Sequence, residues 1–544
     1  MIVFVVAIAA FSILCSLRTA QADACFATTA LNFTSEQGGL WVNGNRLRIK
    51  GASWFGFETS INAPHGLWSK SYTFFLDFLA DNGFNAIRLP FHLALAINDA
   101  TPGSIDYSAN SDLQGLTSLQ VMDKIIQAAA DRGILIMLDL HSFTADSYAS
   151  DGLWYNSNNP ESTVISGWTK MLQRYQNQWN VFAADLKNEP YSATWGTGSD
   201  TDWAKGAARI ANAIASSVSS RFLIFVEGTA NSPSCSDACF YGEDLVGVAS
   251  NPVVINNPWK LVYSPHVYGP NVYGQSYFSA SNFPSNMAAI WEAHWGYIPA
   301  STGQAVVVGE WGGPYSGSDA TWMDALAAYL KSKDMTDQFF WCLNPDSGDT
   351  GGLLADDWST PVTAKLSLLA GLVSAPTAFS VNSAGQVCVS GATAASPTPA
   401  AASPSSSPKA VAVSPSSSPK VTSSPSSSPK VASSPTSSPK AAATVTPTPA
   451  ASAAASPSAS PASGTTTTDS FAFNAGSSAW WMSVTIPGST AVQIDCGNGQ
   501  GYVDMVPGWT SYMWTFTSTN GQPCKSSLQF IVNNGSAQTV TAPY

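Results

Sequence analysis

Between residues 40 and 345, short apolar runs alternate with longer segments in which apolar residues recur at helical spacing. Leu119–Arg132 and Thr321–Lys331 are two of these amphipathic segments, and both predict helices. The apolar runs predict eight strands, at Leu47–Phe57, Asn85–Phe91, Ile134–Ser142, Val181–Pro190, Phe222–Thr229, Leu261–Gly269, Ala305–Gly313 and Gln338–Asn344. Strands and helices that alternate in this number over about 300 residues are typical of a TIM barrel, an α/β fold. The competing doubly wound sheet usually carries a glycine-rich phosphate turn after its first strand, and no such turn stands there.

The pattern changes after the eighth strand. Residues 376–394 predict a short irregular tail, which completes a first folded unit of residues 23–394. Residues 395–468 consist largely of Ser, Pro, Ala and Thr, and this composition predicts an extended linker. Residues 469–544 alternate with a period of two between turn signals, which predicts a small all-β sandwich with strands at Ser470–Ile486, Ala491–Cys496, Tyr512–Thr517 and Leu528–Val532.

The first 22 residues have the pattern of a signal peptide, a long apolar run followed by Ala20-Gln21-Ala22. Cleavage after Ala22 would give a secreted protein without stable membrane insertion. Because no Lys or Arg precedes the apolar run, an uncleaved membrane anchor is the alternative interpretation.

The seven cysteines that follow the signal peptide suggest a disulfide framework in which one thiol is left over. Cys342 is the expected free thiol, because it stands in an apolar run where a cysteine packs as a small apolar side chain. None of the cysteine spacings resembles a zinc site. The candidate pairs are Cys25 with Cys388, Cys235 with Cys239, and Cys496 with Cys524.

The amino-acid composition indicates which chemical class of ligand the protein binds. Only 11% of the residues are charged, while the chain has 19 Trp and 17 Tyr, a balance that fits a neutral, ring-shaped ligand such as a sugar. Many of these aromatic residues are nevertheless expected in the barrel core. The formal net charge of -12, without a basic stripe, excludes nucleic acid as a partner.

In a TIM barrel the active site forms at the C-terminal ends of the strands. The polar and aromatic residues that the sequence places there are Asn85, Arg88, His141, Asn188, Glu189, His266, Tyr268, Glu310 and Trp341. Glu189 and Glu310 belong to the fourth and seventh strands, and their carboxyl groups can approach to about 5 Å, as in a retaining glycosidase. We expect Glu189 to be the acid/base and Glu310 to be the nucleophile, kept ionised by Arg88 and Tyr268. Either glutamate alone would be equally compatible with a salt-bridged barrel residue.

His141 and His266 have the residue type of metal ligands, but neither belongs to a His-x-x-x-His or paired-cysteine arrangement. We therefore expect no metal and no cofactor, and we interpret both histidines as hydrogen-bonding partners of sugar hydroxyls or of the carboxylates. Trp341, at the end of the eighth strand, is expected to stack under a sugar ring.

The order of these motifs resembles glycoside hydrolase family 5. The matching stretches are Asn85-Ala-Ile-Arg-Leu-Pro90, His141, Asn188-Glu189-Pro190, His266-Val-Tyr268, Gly309-Glu-Trp-Gly312 and Trp341. Two further stretches narrow the resemblance to the bacterial-type endo-β-1,4-glucanases, Trp54-Phe-Gly-Phe-Glu-Thr59 and Asn344-Pro-Asp-Ser-Gly-Asp-Thr-Gly-Gly352. The resemblance implies a TIM barrel with Glu189 as the acid/base, Glu310 as the nucleophile, and a site lined by Arg88, His141, Asn188, His266, Tyr268 and Trp341.

The function implied by this resemblance is that of a secreted cellulase, with cellulose or a related β-glucan as its substrate. A β-mannanase or a mixed-linkage glucanase would use the same carboxylate pair, because loop contacts decide the sugar preference. A catalytically silent, polysaccharide-binding wall protein is the alternative outside enzymes. We expect a monomer in which residues 469–544 form a carbohydrate-binding module, with a candidate aromatic platform of Trp480, Trp481, Trp509, Tyr512 and Trp514.

Overall fold

The computed structural model describes residues 24–147, 151–230, 235, 239–390, 471–473, 481–499, 501–507, 513–517, 524–533 and 535–541. The predicted signal peptide (1–22), the predicted linker (395–468), and Trp480, Trp509 and Tyr512 of the predicted platform lie outside these residues. Of the helices within these ranges, none has both the length and the apolar character needed to cross a bilayer.

The strands and helices of the first unit follow the chain in this order. The strands are β1 (Ala24–Ala27), β2 (Phe33–Glu36), β3 (Gly39–Val42), β4 (Asn45–Leu47), β5 (Lys50–Ser53), β6 (Ala86–His92), β7 (Leu135–Ser142), β8 (Val181–Asp185), β9 (Leu223–Val226), β10 (Leu261–Tyr263), β11 (Ala305–Val306), β12 (Val308–Trp311), β13 (Gln338–Phe340), β14 (Ala378–Val381) and β15 (Gln386–Ser390). The helices are α1 (Tyr72–Asp81), α2 (Leu93–Asn98), α3 (Ser118–Ala130), α4 (Glu161–Arg174), α5 (Trp203–Ser217), α6 (Met287–Trp291), α7 (Ile298–Thr302), α8 (Gly317–Ser332) and α9 (Thr363–Leu372).

Strands β5 to β13 form one parallel sheet that closes on itself. The hydrogen-bonded order is β11-β10-β9-β8-β7-β6-β5-β13-β12. β11 and β12 belong to one run that is interrupted only at Val307, so the sheet begins and ends on the same segment. The result is a barrel of eight strands, and the predicted TIM barrel is confirmed. Most strands are shorter than predicted, because the apolar runs continue into the loops that follow the strands.

Helices lie between the barrel strands at both positions where the sequence predicted them. α3 begins with a capping box, in which Thr117 accepts from the Gln120 backbone N–H and the Gln120 side chain accepts from the Thr117 backbone N–H. Its buried face includes Val121, Ile125 and Ile126, at the spacing that predicted the helix. The second predicted helix lies within α8.

The barrel interior changes from apolar at one end to charged at the other. Successive side chains of a strand alternate between its two faces, so residues two apart share the interior. Ala86 and Phe225 belong to an apolar cluster that also contains Phe33 of the three-stranded sheet β2-β3-β4. Arg88 comes two residues after Ala86, and Glu227 comes two residues after Phe225. Both are fully buried. The small sheet thus fills the N-terminal end of the barrel, and charged groups gather at the C-terminal end.

Residues 376–394 were predicted as an irregular tail, and this prediction is wrong for residues 378–390. β14 and β15 form an antiparallel hairpin, to which β1 adds a third strand. The hairpin escaped prediction because β14 is only four residues long and buries Phe379 alone, too short a stretch to show a period of two. Phe379 and Val387 pack in the apolar cluster at the N-terminal end of the barrel, which the hairpin therefore covers.

All three candidate disulfides are present. Cys25–Cys388 joins β1 to β15, Cys235–Cys239 closes a short loop, and Cys496–Cys524 lies in the C-terminal region. Cys342 is a buried free thiol, as predicted.

The C-terminal region contains β16 (Ala472–Phe473), β17 (Trp481–Thr485), β18 (Val492–Asp495), β19 (Val503–Asp504), β20 (Val506–Pro507), β21 (Met513–Thr517), β22 (Ser527–Val532) and β23 (Gln538–Thr541). They form two antiparallel sheets, β16-β17-β21-β20 and β19-β18-β22-β23. Val484 of the first sheet and Phe530 of the second share one apolar cluster, so the sheets pack face to face as the predicted sandwich. Trp514 is not available for the predicted platform, because it is buried in this cluster and donates its indole N–H to Ser489.

Candidate active site

Arg88 lies at the charged end of the barrel, fully buried among four carboxylates. Its Nε is 3.0 Å from Asp185 Oδ2, and its Nη2 is 3.1 Å from Asp139 Oδ2 and 3.3 Å from Glu227 Oε1. Its Nη1 donates to Glu310 Oε1. Because one guanidinium cannot offset four buried negative charges, burial still raises the pKa of Asp139 and of Asp185 to about 6. Part of this cluster therefore holds protons rather than charge.

Glu310 lies on β12 and is buried, with 4% of its surface exposed. The Tyr268 hydroxyl donates to its Oε2 at 2.7 Å, and Arg88 donates to its other oxygen. Both groups that were predicted to hold Glu310 thus contact it. Burial raises the pKa of Glu310, while the charge of Arg88 and the hydrogen bond from Tyr268 oppose that rise. Each of these contacts favours the ionised carboxylate that a nucleophile requires.

Glu189 lies in the loop after β8, not within a strand. The predicted strand Val181–Pro190 ends at Asp185, and the chain then turns so that Glu189 has a φ of 44°, which residues other than glycine rarely adopt. The Glu189 backbone N–H donates to Glu227 Oε2 at 2.7 Å, and its carbonyl accepts from the Tyr191 N–H at 2.7 Å. These two hydrogen bonds hold the turn that directs the Glu189 side chain.

The Glu189 carboxyl group faces Glu310 and His266. Its Oε1 is 3.1 Å from His266 Nδ1, and an oxygen of Glu189 lies within 4.8 Å of an oxygen of Glu310. This separation is close to the predicted value of about 5 Å and is too short for the water molecule that an inverting enzyme holds between its carboxyl groups. Burial, and then the charge of Glu310, raise the pKa of Glu189 well above its usual value. The environment therefore favours a proton on Glu189 and a charge on Glu310.

The amide and the two histidines complete the polar part of the site. Asn188 accepts from Arg88 Nη2 through its Oδ1 at 2.9 Å, which orients its amide so that the NH2 group is the donor for a ligand. His141 Nδ1 is 2.8 Å from Asp139 Oδ2, and burial lowers the pKa of His141 to about 4. Burial also lowers the pKa of His266 well below its usual value, so both rings are neutral near pH 7.

Trp341 provides a flat apolar surface beside the carboxylates. Its ring is nearly parallel to that of Phe55, with an interplanar angle of 8° and centroids 5.5 Å apart, and to that of His141, at 14° and 5.7 Å. Its indole N–H donates to Ser347 Oγ at 3.0 Å. Because the ring is fixed on several sides and only half-buried, it can accept a stacked sugar ring without rearranging.

The structure thus brings eight of the nine residues predicted at the strand ends together, and it adds three that the sequence analysis missed, Asp139, Asp185 and Glu227. Each stands two positions after an inward-facing apolar residue, so counting the strand period of two through the strand ends would have found them. Asn85 was expected at the site and lies at the other end of the barrel. It comes before β6, and its side-chain NH2 donates to the backbone carbonyls of Arg48 and Thr377.

Within the part of the chain that the structure describes, three groups of side chains have the residue types of metal sites. They are Asp185, Glu227 and His266; Glu189, His266 and Glu310; and Cys235, Cys239 and His294. Arg88 contacts carboxylates of the first two groups, and its positive charge opposes a cation there. The sulfurs of the third group are joined in a disulfide. We assign no metal to any of the three.

Two carboxyl groups at this separation and in such different environments, one in the loop after the fourth barrel strand and one on the seventh strand, are the arrangement of a glycoside hydrolase. Residues 43–347 match the family described as Cellulase (glycosyl hydrolase family 5), and the chain belongs to this family.

Named relatives of the chain are endoglucanases. The chain is 42% identical over 334 residues to the major extracellular endoglucanase of Xanthomonas campestris pv. campestris, a match that covers 60% of this chain and 68% of the relative. It is 43% identical over 324 residues to an endoglucanase of Paenibacillus polymyxa, covering 58% of this chain and 81% of the relative. A solved structure of a hyperthermophilic endocellulase from Pyrococcus horikoshii is 39% identical, with a TM-score of 0.60, and the match covers 64% of this chain and 100% of that chain. That endocellulase has also been solved in complex with cellotetraose.

Proposed function

We propose that this protein is a secreted endo-β-1,4-glucanase that hydrolyses internal bonds of cellulose, or of a related β-glucan, with retention of configuration. The observation that carries the proposal is the separation of Glu189 and Glu310, whose carboxyl oxygens lie within 4.8 Å of each other. The relatives named as endoglucanases and the cellotetraose complex of the Pyrococcus horikoshii enzyme support the choice of substrate.

In the first step, Glu310 attacks the anomeric carbon and Glu189 gives its proton to the glycosidic oxygen. The bond from the anomeric carbon to that oxygen breaks, the shortened chain leaves as an alcohol, and the remaining sugar is bound covalently to Glu310. In the second step, Glu189 takes a proton from water while the water oxygen attacks the same carbon. The bond to Glu310 then breaks, and both carboxyl groups return to their starting protonation.

The assignment of the two roles follows from the contacts of each carboxyl group. Glu310 accepts hydrogen bonds from Arg88 and Tyr268, which favour its charged form. Glu189 faces the neutral ring of His266 and the charge of Glu310, which favour its protonated form. In this proposal Asn188 donates its NH2 group to a sugar hydroxyl, Trp341 stacks under the sugar, and His141 lines the same wall.

The test of the proposed function is the release of reducing ends by the mature protein from carboxymethylcellulose, lichenan and mannan. We expect the highest kcat/KM with carboxymethylcellulose, and loss of measurable activity in Glu310→Gln. A preference for mannan would refute the cellulase assignment and favour the β-mannanase alternative. Unchanged cleavage by Glu310→Gln would refute the catalytic assignment. Glu243→Gln, which changes a buried glutamate outside the carboxylate pair, is the matched control.

Secretion is part of the same proposal. The three disulfides suit an oxidising compartment, and one relative is named as an extracellular enzyme. We propose residues 1–22 as the signal peptide, residues 23–394 as the catalytic domain, and a monomer as the active form. N-terminal sequencing of the secreted protein should begin at residue 23, and an intact N-terminus would contradict this boundary.

We also propose that residues 469–544 are a carbohydrate-binding module and that residues 395–468 are the linker that tethers it. A tether raises the local concentration of an enzyme at an insoluble surface, which suits a polymer substrate. Deletion of residues 469–544 is expected to weaken adsorption to crystalline cellulose while kcat/KM on soluble substrate stays unchanged. Equal adsorption of the truncated and full-length proteins would refute the binding role.

A further inference from the structure

Glu227 contacts both the backbone and the side-chain partner of Glu189. It follows β9 directly and is fully buried. Its Oε2 accepts from the Glu189 backbone N–H at 2.7 Å, and its Oε1 lies 3.3 Å from His266 Nε2. The other ring nitrogen of His266 is the one that faces Glu189 Oε1 at 3.1 Å. One carboxyl group thus reaches Glu189 by two routes, through the backbone and through the imidazole ring.

The conformation of Glu189 requires such support. A residue with a side chain is held at a φ of 44° only when its surroundings over-determine that conformation. A change of φ would swing the carboxyl group away from the glycosidic oxygen, and general acid catalysis depends on hydrogen-bond distance to that oxygen. The hydrogen bond to Glu227 restrains this rotation from the N-terminal side of the residue.

Glu227 also restrains the orientation of the His266 ring. Within the described residues, its buried Nε2 has no hydrogen bond of good geometry, and Glu227 Oε1 is the carboxylate oxygen that faces it. On the other side, Gly242 packs so closely that an added Cβ would come within 2.9 Å of Glu227 Oε2 and 3.2 Å of the His266 Cβ. Glu227, His266 and the loop at Gly242 therefore form one packed unit behind Glu189.

Glu227 has no contact that would make it a reacting group, but its protonation suits a supporting role. Oxygens of Glu227 and Asp185 lie within 4.8 Å of each other, and two buried carboxyl groups that close favour a proton on one of them. Burial raises the pKa of Glu227 well above its usual value, which agrees with a proton held there. Whatever its protonation, the carboxyl group keeps Oε2 as the acceptor for the Glu189 N–H, and a glutamine amide oxygen in that place offers the same acceptor.

We propose that Glu227 is a positioning residue, which holds Glu189 in the orientation from which it protonates the glycosidic oxygen. The inference rests on the proposed acid/base role of Glu189. Its effect on kcat/KM concerns the glycosylation step, because that step needs the acid in place when the bond to the leaving oxygen breaks.

The test compares two substrates that differ in their need for an acid. 2,4-Dinitrophenyl β-cellobioside has a leaving group that departs without a proton, whereas 4-methylumbelliferyl β-cellobioside profits from protonation. The measured quantity is kcat/KM, which reports the first irreversible step. For full-length Glu227→Ala we expect a fall of about 10- to 100-fold with the methylumbelliferyl substrate, part of the 10²–10⁴ that general acid catalysis typically contributes. With the dinitrophenyl substrate the fall should stay within about 3-fold.

The controls separate positioning from general damage to the fold. Glu227→Gln keeps the acceptor for the Glu189 N–H, although its NH2 group loses the contact with Arg88, and the ratio of the two kcat/KM values should stay within about 3-fold of the wild-type ratio. Asp337→Ala is matched, because Asp337 is also buried and accepts from a backbone N–H (of Ile49), but it precedes β13 and so lies at the other end of the barrel from Glu189. It should leave the ratio of the two kcat/KM values unchanged. If Glu227→Ala does not fold, as judged by circular dichroism, Glu227→Met fills the same volume without a polar group and takes its place.

Equal losses on both substrates in Glu227→Ala or Glu227→Met, or no loss in a folded variant, would overturn the proposal. So would a shift of the ratio in Asp337→Ala as large as that in Glu227→Ala. Glu189→Ala distinguishes this failure from failure of the proposed function, since it must itself lose activity mainly on the methylumbelliferyl substrate. If it loses both activities equally, the acid/base assignment fails, whatever Glu227 does.

Discussion

The hydrogen bond from Tyr268 to Glu310 should set the acidic limb of the pH profile. Tyr268→Phe removes the hydroxyl that donates to Glu310 Oε2 at 2.7 Å and keeps the ring, which packs against Phe240 with centroids 6.0 Å apart. A hydrogen bond to a charged group contributes about 1.5–3 kcal/mol, and each pKa unit corresponds to about 1.4 kcal/mol. The loss should therefore raise the pKa of Glu310 by about 1–2 units.

The sign of the effect on activity follows from the two proposed roles. Activity needs Glu310 ionised, so the pKa of Glu310 sets the acidic limb of the plot of kcat/KM against pH. Activity also needs Glu189 protonated, so the pKa of Glu189 sets the basic limb. Tyr268 stabilises the Glu310 carboxylate, so loss of the Tyr268 hydroxyl should move the acidic limb to higher pH by about 1–2 units. At pH values on the acidic side of the wild-type limb, kcat/KM should fall about 10- to 100-fold. The basic limb should move much less.

The assay is kcat/KM on a soluble cello-oligosaccharide from pH 3 to pH 9, with Tyr329→Phe as the control. Tyr329 also donates its hydroxyl to a glutamate, Glu292, at 2.6 Å, but this pair lies among the outer helices and not in the barrel. Its loss should leave both limbs in place. An acidic limb that stays where it is in Tyr268→Phe, or that moves to lower pH, would refute the assignment of Glu310 as the ionised group.

Three further changes test other parts of the molecule. Trp341→Ala should raise KM for cello-oligosaccharides about 3- to 10-fold, because the stacking surface is lost, and an unchanged KM would contradict that role. Arg88→Lys should lower the free energy of unfolding at pH 7 by about 3 kcal/mol or more, because one ammonium group cannot contact four carboxylates. Asp139 and Asp185 have pKa values of about 6, so protonation stabilises the native cluster below that pH, and this stabilisation is lost as the pH rises. Urea titrations should therefore show that Arg88→Lys loses less unfolding free energy at pH 5 than at pH 7. Equal deficits at both pH values would contradict the buried-charge account. Cys25→Ser combined with Cys388→Ser should cost about 2–5 kcal/mol in urea titrations with kcat unchanged, since the bridge lies at the end of the barrel away from the carboxylates. A folded double variant with altered kcat would contradict the conclusion that this disulfide does not influence the carboxylate pair.

The barrel and the carboxylate pair could be predicted because their signals are local and repeated. Each barrel strand is an apolar run, and α3 shows the 3.6-residue period over three turns or more. Once the barrel is assumed, Glu189 and Glu310 must face each other, because closure brings the ends of the fourth and seventh strands to the same opening. The contacts of Glu310 with Arg88 and Tyr268 follow from the same geometry.

What could not be predicted depends on contacts between distant segments. Glu227 supports the backbone of Glu189 across 38 positions of sequence, and no local pattern indicates that a buried carboxylate will accept from a particular N–H. The φ of 44° at Glu189 likewise comes from its surroundings, since residue type alone disfavours it. Trp514 has the same residue type as a platform tryptophan, and only the pairing of the two sheets decides that it points into the core.

The bridge between Cys25 and Cys388 makes one covalent ring of 363 positions, which encloses every residue of the proposed catalytic machinery. A protease that cuts one peptide bond anywhere inside this ring cannot release a fragment, because the two pieces stay joined through the sulfurs. A nicked barrel can therefore keep its strands in register, and the cut becomes visible as two bands only after reduction. If the protein is secreted, as we propose, a single cut by an extracellular protease inside this ring need not end its activity.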